Sequence, residues 1–111
     1  MYDRICFPTD GSDAAESALD AAIAVASAHD ATLHVLYVAD TNQPSLANIE
    51  GQVRDVLESE GEKVVDEAAD RARRAGVDTE TAVVQGGPSR TILDYVDDRE
   101  IDLVVMGTRG Q

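Results

Sequence analysis

Residues 4–26 read RICFPTDGSDAAESALDAAIAVA. The short apolar run at residues 4–8 stops at turn-forming residues, which is typical of a buried strand that ends near Phe7. From about Asp13 the apolar residues recur at intervals of three and four, and this spacing predicts an amphipathic helix to about His29. The segment therefore predicts a strand followed directly by a helix, which is the repeating unit of α/β proteins.

The same change of apolar period recurs along the rest of the chain. It predicts strands over Thr32–Ala39, Asp78–Gln85 and Ile101–Met106, and helices over about Ser45–Ala75 and Pro88–Asp98. Gly51 and Gly61 lower the helix propensity of the long helix, and we expect its first third to be irregular. The third strand is more polar than the others, so we expect it near an edge of the sheet.

Strands and helices that alternate in this way predict an open, doubly wound parallel sheet with helices on both faces, a three-layer α/β sandwich. Sheets of this kind bind ligands at the carboxyl ends of the strands, at the point where the winding reverses. The first and fourth strands would flank that point if they are neighbours. The loops that follow these two strands are therefore the first places to look for a site.

Length and composition limit the remaining possibilities. The chain has 111 residues, enough for one domain over residues 1–111, and 43% of them are hydrophobic, an ordinary supply for a globular core. No stretch approaches the ~20 apolar residues that cross a membrane, and charged Asp3 and Arg4 stand where a secretory signal would begin. We expect a cytoplasmic protein without membrane contact. Cys6 is the single cysteine, so an internal disulfide is excluded, and no Cys/His cluster has zinc-site spacing.

The charge balance is strongly acidic. The chain has 22 acidic and 9 basic residues, for a formal net charge of -13. A nucleic-acid partner is not expected, because phosphate binding requires clustered Lys and Arg. The acidity could serve one specific partner, or it could be a general solvation device of a halophilic protein in a salt-rich cytoplasm. We favour the second interpretation because the acidic residues are spread along the whole chain and form no block.

Two loops carry residues suited to a phosphorylated ligand. One is PTDGS at residues 8–12, and the other is GTRG at residues 107–110. Glycines allow backbone N–H groups to approach a phosphate, and Arg109 adds a cation to an otherwise anionic molecule. Asp10 would repel a phosphate, so its carboxylate suits ribose hydroxyls or the amino group of adenine. Alternatively, Asp10 caps the first helix and the glycines serve only the turns.

Four motifs, each at the end of a predicted strand, together resemble the universal stress protein family. They are PTDGS at residues 8–12, VAD at 38–40, GGP at 86–88 and LVVMGTRG at 103–110. The resemblance spans residues 1–111. It implies a flavodoxin-like or Rossmann-like domain, of the adenine nucleotide alpha-hydrolase-like type, in the ATP-binding branch of the family.

The resemblance also implies roles for individual residues. Pro8, Thr9 and Asp10 match the loop that holds the nucleoside, and Val38 matches the residue whose backbone contacts adenine. The implied phosphate-binding residues are Gly107, Arg109 and Gly110. The implied ligand is ATP, with Mg²⁺ held through its phosphates, and family members of this kind commonly form homodimers.

The sequence departs from the family pattern at its end. The family motif continues past its second glycine to a further glycine with Ser or Thr and then to a fifth strand, whereas this sequence stops at Gln111. We expect that the chain lacks the remainder of the phosphate loop and the fifth strand through truncation, because an unpaired edge beside Leu103–Val105 would promote aggregation. The alternative is a native chain with lowered nucleotide affinity.

Other doubly wound classes lack their sequence motifs here. Neither a Walker loop nor a dinucleotide-binding glycine motif is present, and neither histidine has a Ser or Cys placed to form a triad. We expect an ATP-binding stress-response regulator with at most slow ATP hydrolysis, because no general base can be assigned to the γ-phosphate. The alternatives are a nucleotide-free dimeric interaction or chaperone-like module and a weak nucleotidyl hydrolase. The sequence identifies neither the stress nor a downstream protein partner.

Overall fold

The computed structural model describes residues 2–9, 13–39 and 50–106. Strands and helices alternate in the predicted order. The elements are β1 (Arg4–Thr9), α1 (Asp13–His29), β2 (Thr32–Ala39), α2 (Glu50–Arg74), β3 (Thr79–Gln85), α3 (Pro88–Asp98) and β4 (Leu103–Val104). The bounds of β2 and α3 are those that the apolar period predicts.

The strands form one parallel sheet in the order β3-β2-β1-β4. The chain moves outward from β1 to β2 and β3 and then crosses back to place β4 on the other side of β1. The winding therefore reverses between β1 and β4, which confirms the predicted doubly wound fold. Among the described strands, β3 lies at an edge, as its polar composition predicts.

Two helices cover one face of the sheet and the third covers the other. Side chains alternate between the faces along each strand, so Ile5 and Phe7 pack with α1 and α2 while Cys6 packs with Tyr95 of α3. The larger core lies on the α1–α2 face, where alanines of both helices allow close approach to the sheet. Its fully or almost fully buried members include Ile5, Phe7, Leu19, Ala22, Ala26, Leu33, Val35, Val65 and Ala72.

The fourth strand is shorter than the predicted Ile101–Met106. It spans Leu103–Val104, although the amides of Asp102 and Val105 still donate to carbonyls of β1 at 2.9 Å. The amide of Ile101 instead donates to the carbonyl of Val96 at 3.0 Å, which makes Ile101 part of the end of α3. Apolar composition alone did not separate the helix end from the strand.

The described part of α2 is continuous. It runs from Glu50 to Arg74, and the predicted irregularity of its first third is wrong for the residues from Glu50 onward. Residues 45–49, where we predicted the helix to begin, lie outside the described residues. Gly61 does not interrupt the helix. Because it has no side chain, the helix can lie close to Tyr37 and Val83.

Candidate functional site

The carboxyl ends of β1 and β2 lie side by side. Thr9 pairs with Tyr37 and Pro8 pairs with Leu36 in the parallel register, so Thr9 lies beside Val38 at the same end of the sheet. Pro8 is buried, whereas Thr9 and Val38 are half-buried. Three of the predicted nucleotide-binding residues, Pro8, Thr9 and Val38, are thus brought together.

The other predicted site residues cannot be compared with the structure. Asp10 in the first loop, and Gly107, Arg109 and Gly110 in the second, lie outside the described residues. The residues between β4 and the second loop are described. The amide of Val105 donates to the carbonyl of Cys6, so the chain just past β4 still runs beside β1. That the two loops share one site remains a prediction.

A small cavity lies beneath Thr9, between α1 and α2. Its volume is about 100 Å³; Phe7, Leu19 and Ala68 are among its apolar lining, and Glu16, Glu67 and Arg71 are charged residues lining it. Small-molecule sites usually measure about 300–1,000 Å³. The cavity is therefore too small to hold a nucleotide by itself. The candidate site remains at the carboxyl ends of β1 and β2.

Close packing of α2 fixes the end of β2. A Cβ atom on Gly61 would lie 2.6 Å from Cδ1 of Tyr37 and 2.9 Å from Cγ1 of Val83. No residue larger than glycine fits at this approach without movement of the helix or of these two side chains. This role of Gly61 could not be predicted from the sequence, since a glycine inside a helical pattern carries no sign of which strand it will face.

A second contact joins β2 to the turn that precedes α3. The amide of Gly86 donates to the carbonyl of Ala39 at 3.1 Å, one residue beyond Val38. Gly86 has φ +142°, and a Cβ there would lie 2.7 Å from Oγ1 of Thr91. Gly87 is the N-cap of α3, and Pro88 lies in the first turn, at the predicted start of the helix.

Cys6 is a core residue, as its position in a buried strand indicates. It is fully buried, and burial raises the pKa of its thiol to about 12. A thiol with such a pKa is not a nucleophile at neutral pH. Within residues 2–9, 13–39 and 50–106, no group of three or more His, Cys, Asp or Glu side chains is arranged to hold a metal ion.

Across the described part of the chain, no helix combines the length and the apolar character that crossing a membrane requires.

The comparisons with known proteins agree with this architecture. The family model for the universal stress protein family matches residues 1–111. The chain belongs to that family. This universal stress protein is 32% identical over 114 residues to universal stress protein MJ0531 of Methanocaldococcus jannaschii, an alignment that covers 100% of this chain and 67% of the relative.

Solved structures match this universal stress protein over nearly its whole length. Protein MJ0577 has a TM-score of 0.87 at 26% identity, with coverage of 100% of this chain and 78% of that chain; a universal stress protein named MJ0577 is known from Methanocaldococcus jannaschii. A universal stress protein solved in complex with cAMP has a TM-score of 0.68 at 31% identity, with coverage of 94% and 72%. The family and the Rossmann-like fold predicted from the four motifs are therefore confirmed.

Proposed function

We propose that this universal stress protein binds an adenine nucleotide at the carboxyl ends of β1 and β2, and that nucleotide binding controls its action as a stress-response regulator. The observation that carries the proposal is the register of β1 and β2, in which Thr9 pairs with Tyr37 next to Val38. The carboxyl ends of β1 and β2 lie next to the reversal of winding between β1 and β4, where sheets of this type bind ligands. The relative solved with cAMP supports an adenine nucleotide as the ligand class.

Each proposed residue has a role that suits its chemistry. Pro8, Thr9 and Asp10 would hold the nucleoside, with the carboxylate of Asp10 accepting hydrogen bonds from hydroxyl or amino groups. The backbone of Val38 would contact adenine. The proposed phosphate-binding residues are Gly107, Arg109 and Gly110.

The proposed ligand is ATP, and Mg²⁺ would be bound through its phosphates. We propose binding rather than turnover, with any hydrolysis slow, since the proposed roles include phosphate-binding groups and an arginine but no general base. A homodimer is also proposed from the family resemblance, and analytical ultracentrifugation with and without ATP tests it.

Calorimetry with adenosine and with ATP, ADP, AMP and cAMP, each in the presence of Mg²⁺, tests the proposed site. Thr9→Val removes the hydroxyl and keeps the side-chain shape; it should weaken every adenine nucleotide by up to about tenfold, the value of one hydrogen bond. Arg109→Ala should weaken ATP more than adenosine, because it removes a phosphate-binding cation. Asp97→Asn, an exposed change near the end of α3, is the matched control.

Two outcomes would contradict the proposal. If about 1 mM ATP gives neither heat nor a shift in thermal midpoint, the nucleotide-free interaction module is favoured, since binding must stabilise the folded state. If ATP is turned over and Asp10→Ala abolishes the turnover, the protein is a nucleotidyl hydrolase.

A further inference from the structure

A buried histidine joins the sheet to α3 at a distance from the candidate nucleotide site. His34 lies on β2, on the face that α3 covers, and only 4% of it is exposed. Its Nδ1 lies 3.0 Å from the hydroxyl oxygen of Tyr95, and the two rings meet edge to face with centroids 5.9 Å apart. The contact joins residues 61 positions apart in the sequence.

The strands on either side of β2 contribute titratable groups to this region. Cys6 of β1 and Glu80 of β3 pair in register with His34, one on each side. Arg4, near the start of β1, acts on the imidazole as a more distant positive charge. Glu80 is exposed at the sheet edge, so its carboxylate is partly screened by solvent.

The helix contributes the remaining groups. Tyr95 supplies the hydroxyl, and Arg99 places its guanidinium carbon 5.3 Å from the centroid of the Tyr95 ring. Burial raises the pKa of the Tyr95 hydroxyl, which keeps it protonated at neutral pH. The tyrosine hydroxyl in the contact is therefore neutral, and the guanidinium of Arg99 lies over the face of the Tyr95 ring.

Burial disfavours the charged form of His34. Desolvation lowers the pKa of the imidazole below 6.5; Glu80 opposes this shift, while Arg99 and Arg4 add to it. A neutral imidazole can donate to or accept from the tyrosine hydroxyl. A protonated imidazole can only donate, and it places a charge that Glu80 offsets only in part in the interface between α3 and the sheet.

The remaining packing of α3 is limited: besides Tyr95, Ile92 is the residue of the helix that packs on the cluster around Cys6 and Leu36. Tyr95 is buried, but Ile92 and Val96 are only half-buried, and 66% of Leu93 is exposed. We propose that the contact between His34 and Tyr95 is acid-sensitive. It holds α3 on the sheet at neutral pH and releases the helix on acidification. The device does not depend on the proposed nucleotide site, so it can be tested without a ligand.

The direction of the pH effect follows from proton binding. When α3 is released, His34 regains its ordinary pKa near 6.5, so the released state binds a proton more readily than the docked state. Docking is fully stable above that value and weakens as the pH falls towards the lower pKa of the docked state. Between pH 7.5 and 5.5 the fraction of released helix should rise by up to about tenfold, the change expected for one histidine of pKa ~6.5.

Hydrogen exchange of the 111-residue chain measures this release. After correction for intrinsic exchange rates, amides of α3 should lose protection by up to about tenfold from pH 7.5 to 5.5, and they should be less protected than amides of α1 at every pH. His34→Gln should abolish the pH effect on α3. His29→Gln, which changes the other histidine at the end of α1, should leave it intact.

Three results would overturn the proposal. They are an α3 protection that does not change with pH, a pH effect that persists in His34→Gln, and equal protection of α3 and α1, which would mean global unfolding. If His34→Gln does not fold, a titration of the wild-type imidazole by NMR decides. A titration midpoint of His34 below 6.5 that coincides with the loss of α3 protection supports the proposal, and a midpoint at or above 6.5 overturns it.

Discussion

Gly61 determines how closely α2 approaches the sheet. Its α-carbon faces the ring of Tyr37, and Tyr37 is the cross-strand partner of Thr9. The glycine thus helps position the end of the sheet where we propose a nucleotide, although it has no side chain to offer a ligand. A residue with no chemistry of its own can affect the site through packing.

Gly61→Ala should destabilise the protein by up to about 2 kcal/mol net. The added methyl overlaps Tyr37 and Val83, and interior overpacking costs about 1–3 kcal/mol. The gain in helix propensity from alanine returns about 1 kcal/mol of that cost. Urea unfolding measures the change. Glu62→Ala, at the exposed neighbouring position, is the control and should be nearly neutral. Equal stability of Gly61→Ala and wild type would mean that α2 shifts freely on the sheet.

Asp102 ties the beginning of β4 to the beginning of β1. Its Oδ2 accepts the amides of Asp3 at 2.8 Å and of Arg4 at 3.0 Å. These two hydrogen bonds favour the ionised carboxylate and lower the pKa of Asp102 below 3.8. Since the folded state then holds its proton less tightly than the unfolded state, the contact stabilises the fold above pH 3.8 and is lost as the pH falls through the folded pKa.

An NMR titration of the Asp102 carboxyl carbon should therefore show a midpoint below 3.8, with the amide resonances of Asp3 and Arg4 moving at the same midpoint. Asp102→Asn removes the titrating group, so those amides should no longer move together in this range. Unchanged amide titration in the variant would show that another carboxylate is responsible.

At the scale of elements, all three described helices end in the same way. The residues just past the helices, Asp30, Gly76 and Glu100, have φ of 53°, 83° and 53°. In each case the amide of that residue bonds back three positions and the next amide bonds back five, for example Gly76 to Arg73 and Val77 to Ala72. This is the Schellman motif, which satisfies the last carbonyls of a helix and directs the chain towards the next strand.

Glu100→Gly should stabilise the protein by about 0.5–1 kcal/mol. A left-handed conformation costs a side-chain-bearing residue about 1–2 kcal/mol, and glycine returns part of that gain through its larger unfolded-state entropy. Thermal unfolding at pH 7 measures the difference. Glu100→Ala keeps the positive φ and removes the same carboxylate, so it should not stabilise. A similar gain from both variants would assign the effect to charge.

These helix ends show where sequence reasoning succeeds and where it stops. Gly76 could be predicted as a helix terminator, but acidic residues at the equivalent places after α1 and α3 carry no such signal. Ile101, whose amide closes the turn after α3, is therefore predicted as part of the fourth strand. The alternation of strands and helices and the edge position of β3 follow from apolar period and composition, and the meeting of Thr9 with Val38 follows from the family motifs. That β1 and β4 are neighbours was only a condition in the sequence analysis, and the structure shows it. The contact between His34 and Tyr95 could not be predicted, because only the packed fold joins them.

At the scale of the whole molecule, acidic charge exceeds what ion pairing can neutralise. Arg71 pairs with Asp20 across α1 and α2, and Arg74 pairs with Asp70 along α2 at 2.8 Å. Even if all 9 basic residues were paired, 13 of the 22 acidic residues would remain without a basic partner. These carboxylates repel one another in the compact state more than in the expanded chain, so the charge opposes folding at low ionic strength.

Potassium chloride should therefore raise the thermal midpoint of this protein. The Debye length falls from about 10 Å at 0.1 M to about 3 Å at 1 M, which screens the repulsion among exposed carboxylates. The same salt weakens the exposed ion pairs, but each contributes only about 0–1 kcal/mol and the acidic excess outnumbers them. Circular dichroism between 0.1 and 2 M measures the midpoint. A triple variant with Asp94, Asp97 and Asp98 of α3 changed to Asn should melt higher in dilute buffer and gain less from salt, because fewer like charges remain to be screened. Equal midpoints of the wild type in dilute buffer and in molar potassium chloride would contradict the halophilic interpretation and favour a specific partner for the acidic surface.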